Sequence, residues 1–314
     1  AVLGRVPVLR AVARLLPYLH KLWQAAGHCD LFHVMANSGW SWHLFAAPAI
    51  WVARLRGIPV IVNYRGGEAA AFLQRAAGVV RWSMQRAARL AVPSGFLEGI
   101  FGAHGMHAEV LPNIVDLARF RPQRERVAAA HLVVARNLEA LYDNATALRA
   151  FRLVREQCPQ ARLSIAGSGP EEQRLRALAD ELGLADAVRF CGRLDREAMA
   201  GLYRDADLML NPSLADNMPN SVLEALASGV AVVTTNVGGI PYIVSDGATA
   251  LLVAPGDPQA MAAAALRLLG DAALRARLVD AGLREAERYT WGRIGPQLAR
   301  MYRSTLVTPR PLPA

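Results

Sequence analysis

Short apolar runs alternate with stretches of helical period, and the alternation runs through the chain twice. In the first pass "DLFHVMANSG", "IPVIVNYRGG", "AVPS" and "AEVLPNIVD" read as strands. "WSWHLFAAPAIWVARLRG", ending at Gly57, and "AAGVVRWSMQRAARL" read as the helices between them. Val2 to Ala26 reads ahead of these as one or two helices, broken at Pro7 and Pro17. The charged, proline-containing "RFRPQRERVAA" of residues 119–129 reads as a linker. The second pass then sets the strands "HLVVARN", "ARLSIAGSGP", "VRFCGRL", "DLMLNPS", "AVVTTNVGG" and "ATALLVAPGD" among helices such as "NATALRAFRLVREQ" and "REAMAGLYRDA". Long arginine-rich helices run to Thr305, and "TPRPLPA" reads as a frayed tail. Strand–helix–strand order argues for parallel sheets covered on both faces, an α/β fold.

Size agrees with two such units: 314 residues, 53% hydrophobic, bury two cores. The net charge of +9, carried by arginines except for Lys21, favours acidic partners such as phosphates, anionic lipid or nucleic acid, although a GC-rich genome gives the same arginine bias. Cys29, Cys158 and Cys191 have neither disulfide nor metal spacing, which points to a reducing compartment. No signal peptide is visible, and the longest apolar runs are too short to span a bilayer. The chain opens at Ala1, as a processed chain or a fragment would.

The stretch with most chemistry is "NPSLADNMPNSVLEALASG", residues 211–229. "DLMLNPS" delivers it to the carboxyl end of a parallel strand, where ligands of open α/β sheets bind. Pro219 suits the first turn of the following helix, and Gly229 its end. Asn217, Asn220 or Ser221 would cap it, leaving amides at a helix N-terminus that suits anions. Glu224 would fall near the first turn, favoured by the helix dipole and able to accept hydrogen bonds from sugar hydroxyls. An ordinary capped helix reads the same way.

The whole set resembles the family 4 retaining glycosyltransferases. Their signature is Glu, seven residues, Glu, a small-residue helix end and an apolar strand. Here Asp216 and Glu224 have that spacing, followed by "ALASGVAVVTTNVGGIP". "VPSGFL", "LPNIVDLARFRP", "VVAR", "IAGSGPEEQRL", "FCGRL" and "GDPQAMAAAALRLL" follow in family order. The resemblance implies the GT-B fold, two Rossmann-like domains with parallel sheets facing across a cleft. These would be an incomplete acceptor-side domain over 1–122 and a nucleotide-sugar domain over 123–290, with a helix and tail over 291–314 packing back on the first. It implies that Glu224 holds the nucleotide ribose and Asp216 the donor-sugar hydroxyls. The amides of Asn217, Met218, Pro219, Asn220 and Ser221 would meet the β-phosphate, and Arg136 would neutralise the diphosphate. Gly167, Ser168 and Gly169 would form the turn beside the nucleotide, and Arg193 and Leu194 would read the base. Arg65 and Gly66, in "NYRGGE", would face the acceptor, though a Gly-Gly turn with a solvated arginine reads equally well. The implied activity is transfer of a sugar from a nucleotide diphosphate donor to a glycan or lipid-linked acceptor, with retention and without metal or other cofactor. Such a protein would be cytoplasmic, or peripheral at the inner face of the membrane.

Three positions depart from the pattern. Tyr142 stands nearest the place of the lysine that partners the arginine, Asp216 replaces the usual glutamate, and Tyr242 stands where an acidic residue is common. The family's opening strand and Gly-rich loop are expected to be missing. The rival readings are a nucleotide-sugar-binding or scaffold protein derived from a transferase, an epimerase or phosphorylase of the same fold, and a nucleic-acid binder suggested by charge alone. His33 and His43 read as packing or surface residues, and most tryptophans as core, with Trp40 and Trp42 lining an acceptor groove or touching lipid. Helix "RVPVLRAVARLLPYLHKLW" reads as interfacial or as a packed domain helix.

Overall fold

The computed structural model describes residues 7–122 and 130–307. The last seven residues of the expected linker and the "TPRPLPA" tail lie outside them. The chain divides into two compact units, 1–112 with 296–314, and 113–295. The division falls ten residues before the expected boundary at 122. The reason is local: the Val115 amide donates to the Tyr289 carbonyl at 2.8 Å, and Val115 and Phe120 are buried in one cluster with Tyr203 and Met209.

The first unit has a four-stranded parallel sheet, β1 (Phe32–Ala36), β2 (Val60–Tyr64), β3 (Arg89–Val92) and β4 (Glu109–Val110), in sequential order. Every residue of β2 is buried, which is why it reads as an unbroken apolar run rather than an alternation. The β4 pairing is shorter than "AEVLPNIVD" suggests. Leu111 makes one more ladder bond, to Val92, and Pro112 then has no N–H to continue. Around the sheet lie α1 (Pro7–Ala25), α2 (Ala47–Leu55), α3 (Ala69–Met84) and α4 (Gly95–Ala103). The first of these runs unbroken through Pro17, against the expected break. Leu19 and Leu22 on the helix beyond the proline, and Ala26 just past its end, pack on the sheet core and offset the lost backbone bond. Three glycines hide α4 in the sequence, and α3 starts seven residues earlier than its apolar period suggests. Residues Trp42–Ala46 form a π-helical turn that leads into α2.

The second unit carries six parallel strands: β5 (His131–Ala135), β6 (Arg162–Ala166), β7 (Val188–Gly192), β8 (Leu208–Asn211), β9 (Ala231–Thr235) and β10 (Leu251–Val253). Their order, β10-β9-β8-β5-β6-β7, reverses at β5. The chain steps from β5 outward through β6 and β7, then returns to lay β8 on the other side of β5, with Leu132 opposite Leu208 and Val133 opposite Met209. The loops after β5 and β8 therefore diverge at a topological switch point, where such sheets open a crevice. Helices α5 (Asn144–Gln157), α6 (Glu172–Glu181), α7 (Arg196–Asp205), α8 (Asn220–Ala227), α9 (Pro258–Gly270) and α10 (Ala272–Ala286) pack around the sheet. Four of them begin on aspartates, Asp143, Asp195, Asp257 and Asp271, whose side chains accept from the backbone three residues on. The last helix, α11 (Trp291–Val307), belongs to the first unit from Pro296 onward.

Candidate functional site

Arg136 follows β5 directly, and Asp216 lies in the loop between β8 and α8, so the switch point brings together two residues 80 positions apart. Their side chains form an ion pair in which an Arg136 Nη donates to an Asp216 carboxylate oxygen, and each is only 10% exposed. The second Nη of Arg136 lies 3.4 Å from Ser221 Oγ. The Tyr142 ring stacks on the guanidinium, 4.0 Å from its centroid to Arg136 Cζ. Arg136 Nε is buried and has no hydrogen-bond partner. The residue at the expected lysine position is thus an aromatic platform for the arginine rather than a second cation. Burial raises the Tyr142 phenol above its ordinary pKa, with Arg136 opposing and Asp216 and Glu139 adding.

Backbone bonds hold these loops in register. The Leu214 amide donates to Leu141 at 2.9 Å, tying the β8 loop to the turn that carries Tyr142. Gly239 donates to the Asp216 carbonyl at 2.8 Å, tying in the loop after β9. A buried polar ladder lies underneath. Asn211 Nδ2 donates to Thr234 Oγ1, Ser213 Oγ to Asn211 Oδ1, and Thr235 Oγ1 to the Ser213 carbonyl, at 2.9, 3.0 and 2.6 Å. In such a dry setting each unmade bond would be costly, so the ladder fixes one conformation. Burial raises the Asp216 carboxyl above the ordinary aspartate value, while Arg136, the Asn217 amide and Ser213 pull it back.

The start of α8 differs from expectation. The helix begins at Asn220, Pro219 is the residue before it, and no side chain caps it. Neither Asn217, Asn220 nor Ser221 serves as the cap. The Asn217 amide instead donates to Asp216 Oδ1 at 3.0 Å, and Pro219 has no N–H. Of the five residues expected to offer amides, at most Met218, Asn220 and Ser221 can do so. Met218 is buried, its carbonyl and sulfur bonded by Asn113. Gly229 sits as expected just past the helix end, with φ +67°. Glu224 is the fifth residue of α8, beyond the first turn, so the dipole argument for it fails. Burial sets its chemistry instead, raising its pKa to about 7 with Arg196 pulling the other way. Tyr203, fully buried beneath, donates to the Ser221 carbonyl at 3.1 Å, and both Glu224 and Arg136 act on its phenol. Tyr203 and Ser213 were missed by sequence reasoning, and Tyr142 was singled out only as a departure from the lysine, not as a stacking partner. Only the tyrosine in the lysine's place gave a signal.

The expected glycine turn lies against the same loop. A Cβ on Gly167 would come 2.0 Å from the Arg136 carbonyl oxygen, and one on Gly169 2.3 Å from that of Leu138. Only glycine allows the β5 and β6 ends to approach so closely, with Leu138 N donating to Ser168 O and Glu171 N to Leu138 O. Arg193 is exposed and Leu194 half-buried, just after β7. Tyr242 is exposed.

Arg65 and Gly66 belong to a separate constellation in the first unit, at the ends of β1 and β2. Arg65 Nε donates to Asn63 Oδ1 at 2.8 Å, and Asn63 Nδ2 lies 3.1 Å from His33 Nε2. His33 Nδ1 lies 2.6 Å from the Tyr302 hydroxyl on α11. Since an amide nitrogen only donates, His33 is neutral with its proton on Nδ1, and Tyr302 accepts it. Burial and Arg65 lower the His33 pKa, and burial lowers that of Arg65. Arg65 is therefore a tied, partly buried group and not a solvated one. A Cβ on Gly66 would lie 2.4 Å from Asn37 Oδ1 and 2.5 Å from Ser38 Oγ. Nearby Trp42 is fully buried, which excludes lipid contact, whereas Trp40 is exposed. Among the described residues no three His, Cys, Asp or Glu side chains group to hold a metal, and no helix is long and apolar enough to cross a membrane.

The chain resembles known proteins in family and in fold. Residues 129–271 match the model of the family described as "Glycosyl transferases group 1". A D-inositol 3-phosphate glycosyltransferase of Corynebacterium urealyticum is 30% identical over 68% of this chain, which spans 55% of that protein's length. A phosphatidyl-myo-inositol mannosyltransferase of Mycobacterium leprae is 30% identical over 95% of this chain and 80% of its own. Among solved structures, a sucrose-phosphate synthase from Thermosynechococcus elongatus superposes with a TM-score of 0.81 at 22% identity, covering 97% of this chain and 81% of that one. Anabaena HepE in complex with UDP superposes with a TM-score of 0.78 at 19% identity, covering 92% and 82%. With two parallel-sheet α/β units and its glycine turn, arginine and carboxylates gathered at one switch point, the chain has the GT-B fold and belongs to the group 1 glycosyltransferases.

Proposed function

We propose that the chain is a retaining glycosyltransferase that takes a sugar from a nucleotide diphosphate donor and gives it to a glycan or lipid-linked acceptor. The observation that carries this reading is the Arg136–Asp216 pair at the switch point of the second sheet, with Glu224 close by on α8. Departure of a nucleoside diphosphate from an anomeric carbon loads negative charge on phosphate and positive charge on the sugar ring. Arg136 is the side chain assigned to the first, and a diphosphate would displace Asp216 from it. Asp216, released, would face the sugar, and Glu224 would accept the ribose hydroxyls. Gly167 to Gly169, Arg193 and Leu194 would flank the nucleotide, and Arg65 and Gly66 would serve the acceptor side. No metal is invoked, because Arg136 and the amides at the start of α8 carry the phosphate charge.

The test is calorimetric titration with UDP, GDP and ADP. UDP comes first, since the Anabaena structure was solved with it. One of the three should bind, and Glu224→Ala should abolish that binding while the fold survives. A folded Glu224→Ala protein that binds as tightly as the parent removes Glu224 from the site. A second reading, a transferase-derived binding protein, draws support from the tyrosine, Tyr142, that packs on Arg136 where the family pattern has a lysine. It predicts nucleotide binding with no sugar transfer to any acceptor fraction.

A further inference from the structure

The net charge of +9 is not spread along the chain. Residues 1–97 hold eleven Lys and Arg but only two acidic residues, Asp30 and Glu68, and the remainder carries equal numbers of each sign. Helices α1, α2 and α3 contain no Asp or Glu at all. Five of these helices' large apolar side chains stand out in water, Leu16, Trp23, Leu55, Val79 and Trp82, and Leu55 is 71% exposed. Helical spacing collects them. Leu16 and Trp23 are seven apart on α1, Trp51 and Leu55 four apart on α2, and Val79 and Trp82 three apart on α3. Cations join the helices: Arg86 lies over both the Trp51 and Trp82 rings, at 4.2 and 4.4 Å, and Arg56 lies 4.9 Å from the centre of the Trp23 ring. Lys21, Trp23, His28 and Arg56 wall an open depression of about 610 Å³ where α1 and α2 end.

We infer that this face of the first unit docks on an anionic phospholipid surface, with Trp23, Leu55, Val79 and Trp82 at the acyl boundary and the cations among the headgroups. The alternatives fit less well. A nucleic acid would reward the arginines but leave Leu16, Leu55 and Val79 exposed. A second copy across a two-fold axis would set the same cationic face against itself. An anionic bilayer rewards both, and tryptophan rings beside arginines are stable at the level of the headgroups.

The full chain would be mixed with vesicles of phosphatidylcholine alone, and of phosphatidylcholine with equimolar phosphatidylglycerol, and sedimented. Binding is expected to the second only, weakening with salt, with a blue shift of tryptophan emission and quenching by brominated acyl chains. Arg54 on α2 and Arg81 on α3 are exposed cations of the same helices; Arg54→Gln and Arg81→Gln should each lower vesicle affinity about fivefold, and Trp82→Ala should remove part of the quenching. Leu55→Gln, at an exposed position, repeats the apolar test should Trp82→Ala fail to fold. Equal binding to neutral vesicles, binding without quenching, displacement of protein from vesicles into a dimer, or indifference to all four substitutions would overturn the inference.

Discussion

Both units set an arginine at the carboxyl end of a buried parallel strand, and they hold it differently. In the second unit Arg136 is paired with the Asp216 carboxylate and stacked on Tyr142. In the first, Arg65 is held through its Nε by the neutral amide of Asn63, which in turn leans on His33 and Tyr302. The first arrangement stores an exchangeable charge partner, since an incoming phosphate can replace a carboxylate on a guanidinium with little geometric change. The second ties its guanidinium to a chain of amide, imidazole and phenol groups with defined donor and acceptor roles. Nearly the same backbone setting thus yields a ligand-ready cation in one place and a positioned one in the other.

The sharpest way to break the contrast is Arg136→Ala. It leaves Asp216 buried without its counter-charge, and should destabilise the protein by about 3–5 kcal/mol in urea denaturation. Arg136→Ala/Asp216→Ala should recover most of that loss. Equal instability of single and double variants would mean that the pair is not what the loop depends on. In Arg136→Lys, which keeps the charge, diphosphate affinity should fall more than monophosphate affinity.

The pH response should differ in sign between the regions. Glu224 keeps its proton up to about pH 7 when folded, against 4.5 when unfolded. The folded state therefore binds more protons in that window, and this residue's contribution to stability falls as pH rises through it. Glu224→Gln should raise stability above pH 7 by at most about 3 kcal/mol, and the gain should vanish below pH 4.5. His33 has its folded pKa lowered, so the unfolded state binds more protons below 6.5 and stability there is lost on acidification. His33→Gln should flatten that acid limb. Melting temperatures from pH 4 to 8 read both, and slopes of the same sign would refute the assignment.

Asn63→Ala should cost about 1–3 kcal/mol, because it strips partners from Arg65 Nε and His33 Nε2 at once, and chemical denaturation measures it. The smallest effect is expected at Tyr142. Tyr142→Ala should weaken the hold on Arg136 by about 0.5–2 kcal/mol, while Tyr142→Phe keeps the ring and should be nearly silent. Loss in the phenylalanine variant would shift the role from the ring to the hydroxyl.

How much of this was legible in the sequence follows from range. The helix "NATALRAFRLVREQ" is α5 residue for residue, because its capping aspartate and apolar period are local. Gly229 and the strands of the second sheet were equally plain. The glycines of "IAGSGP" were legible as a turn, but their reason, the carbonyls of Arg136 and Leu138 pressed against them, was not. Glu224 was found by its spacing to Asp216, yet its place in the helix was misjudged by a residue or so, which changed the physics from a dipole to burial.

Sequence alone settled the α/β class, the two units and most of the residues at the switch point, because periodicity and caps act over a few residues. Tertiary structure decided what each of those residues touches. The Arg136–Asp216 pair depends on β8 returning beside β5, Trp42 is buried while Trp82 is not, and Tyr142 stacks on an arginine because a bond from Leu214 holds its turn there. A local pattern carries no record of which strand will lie next to which, and every through-space partner in this protein depends on that order.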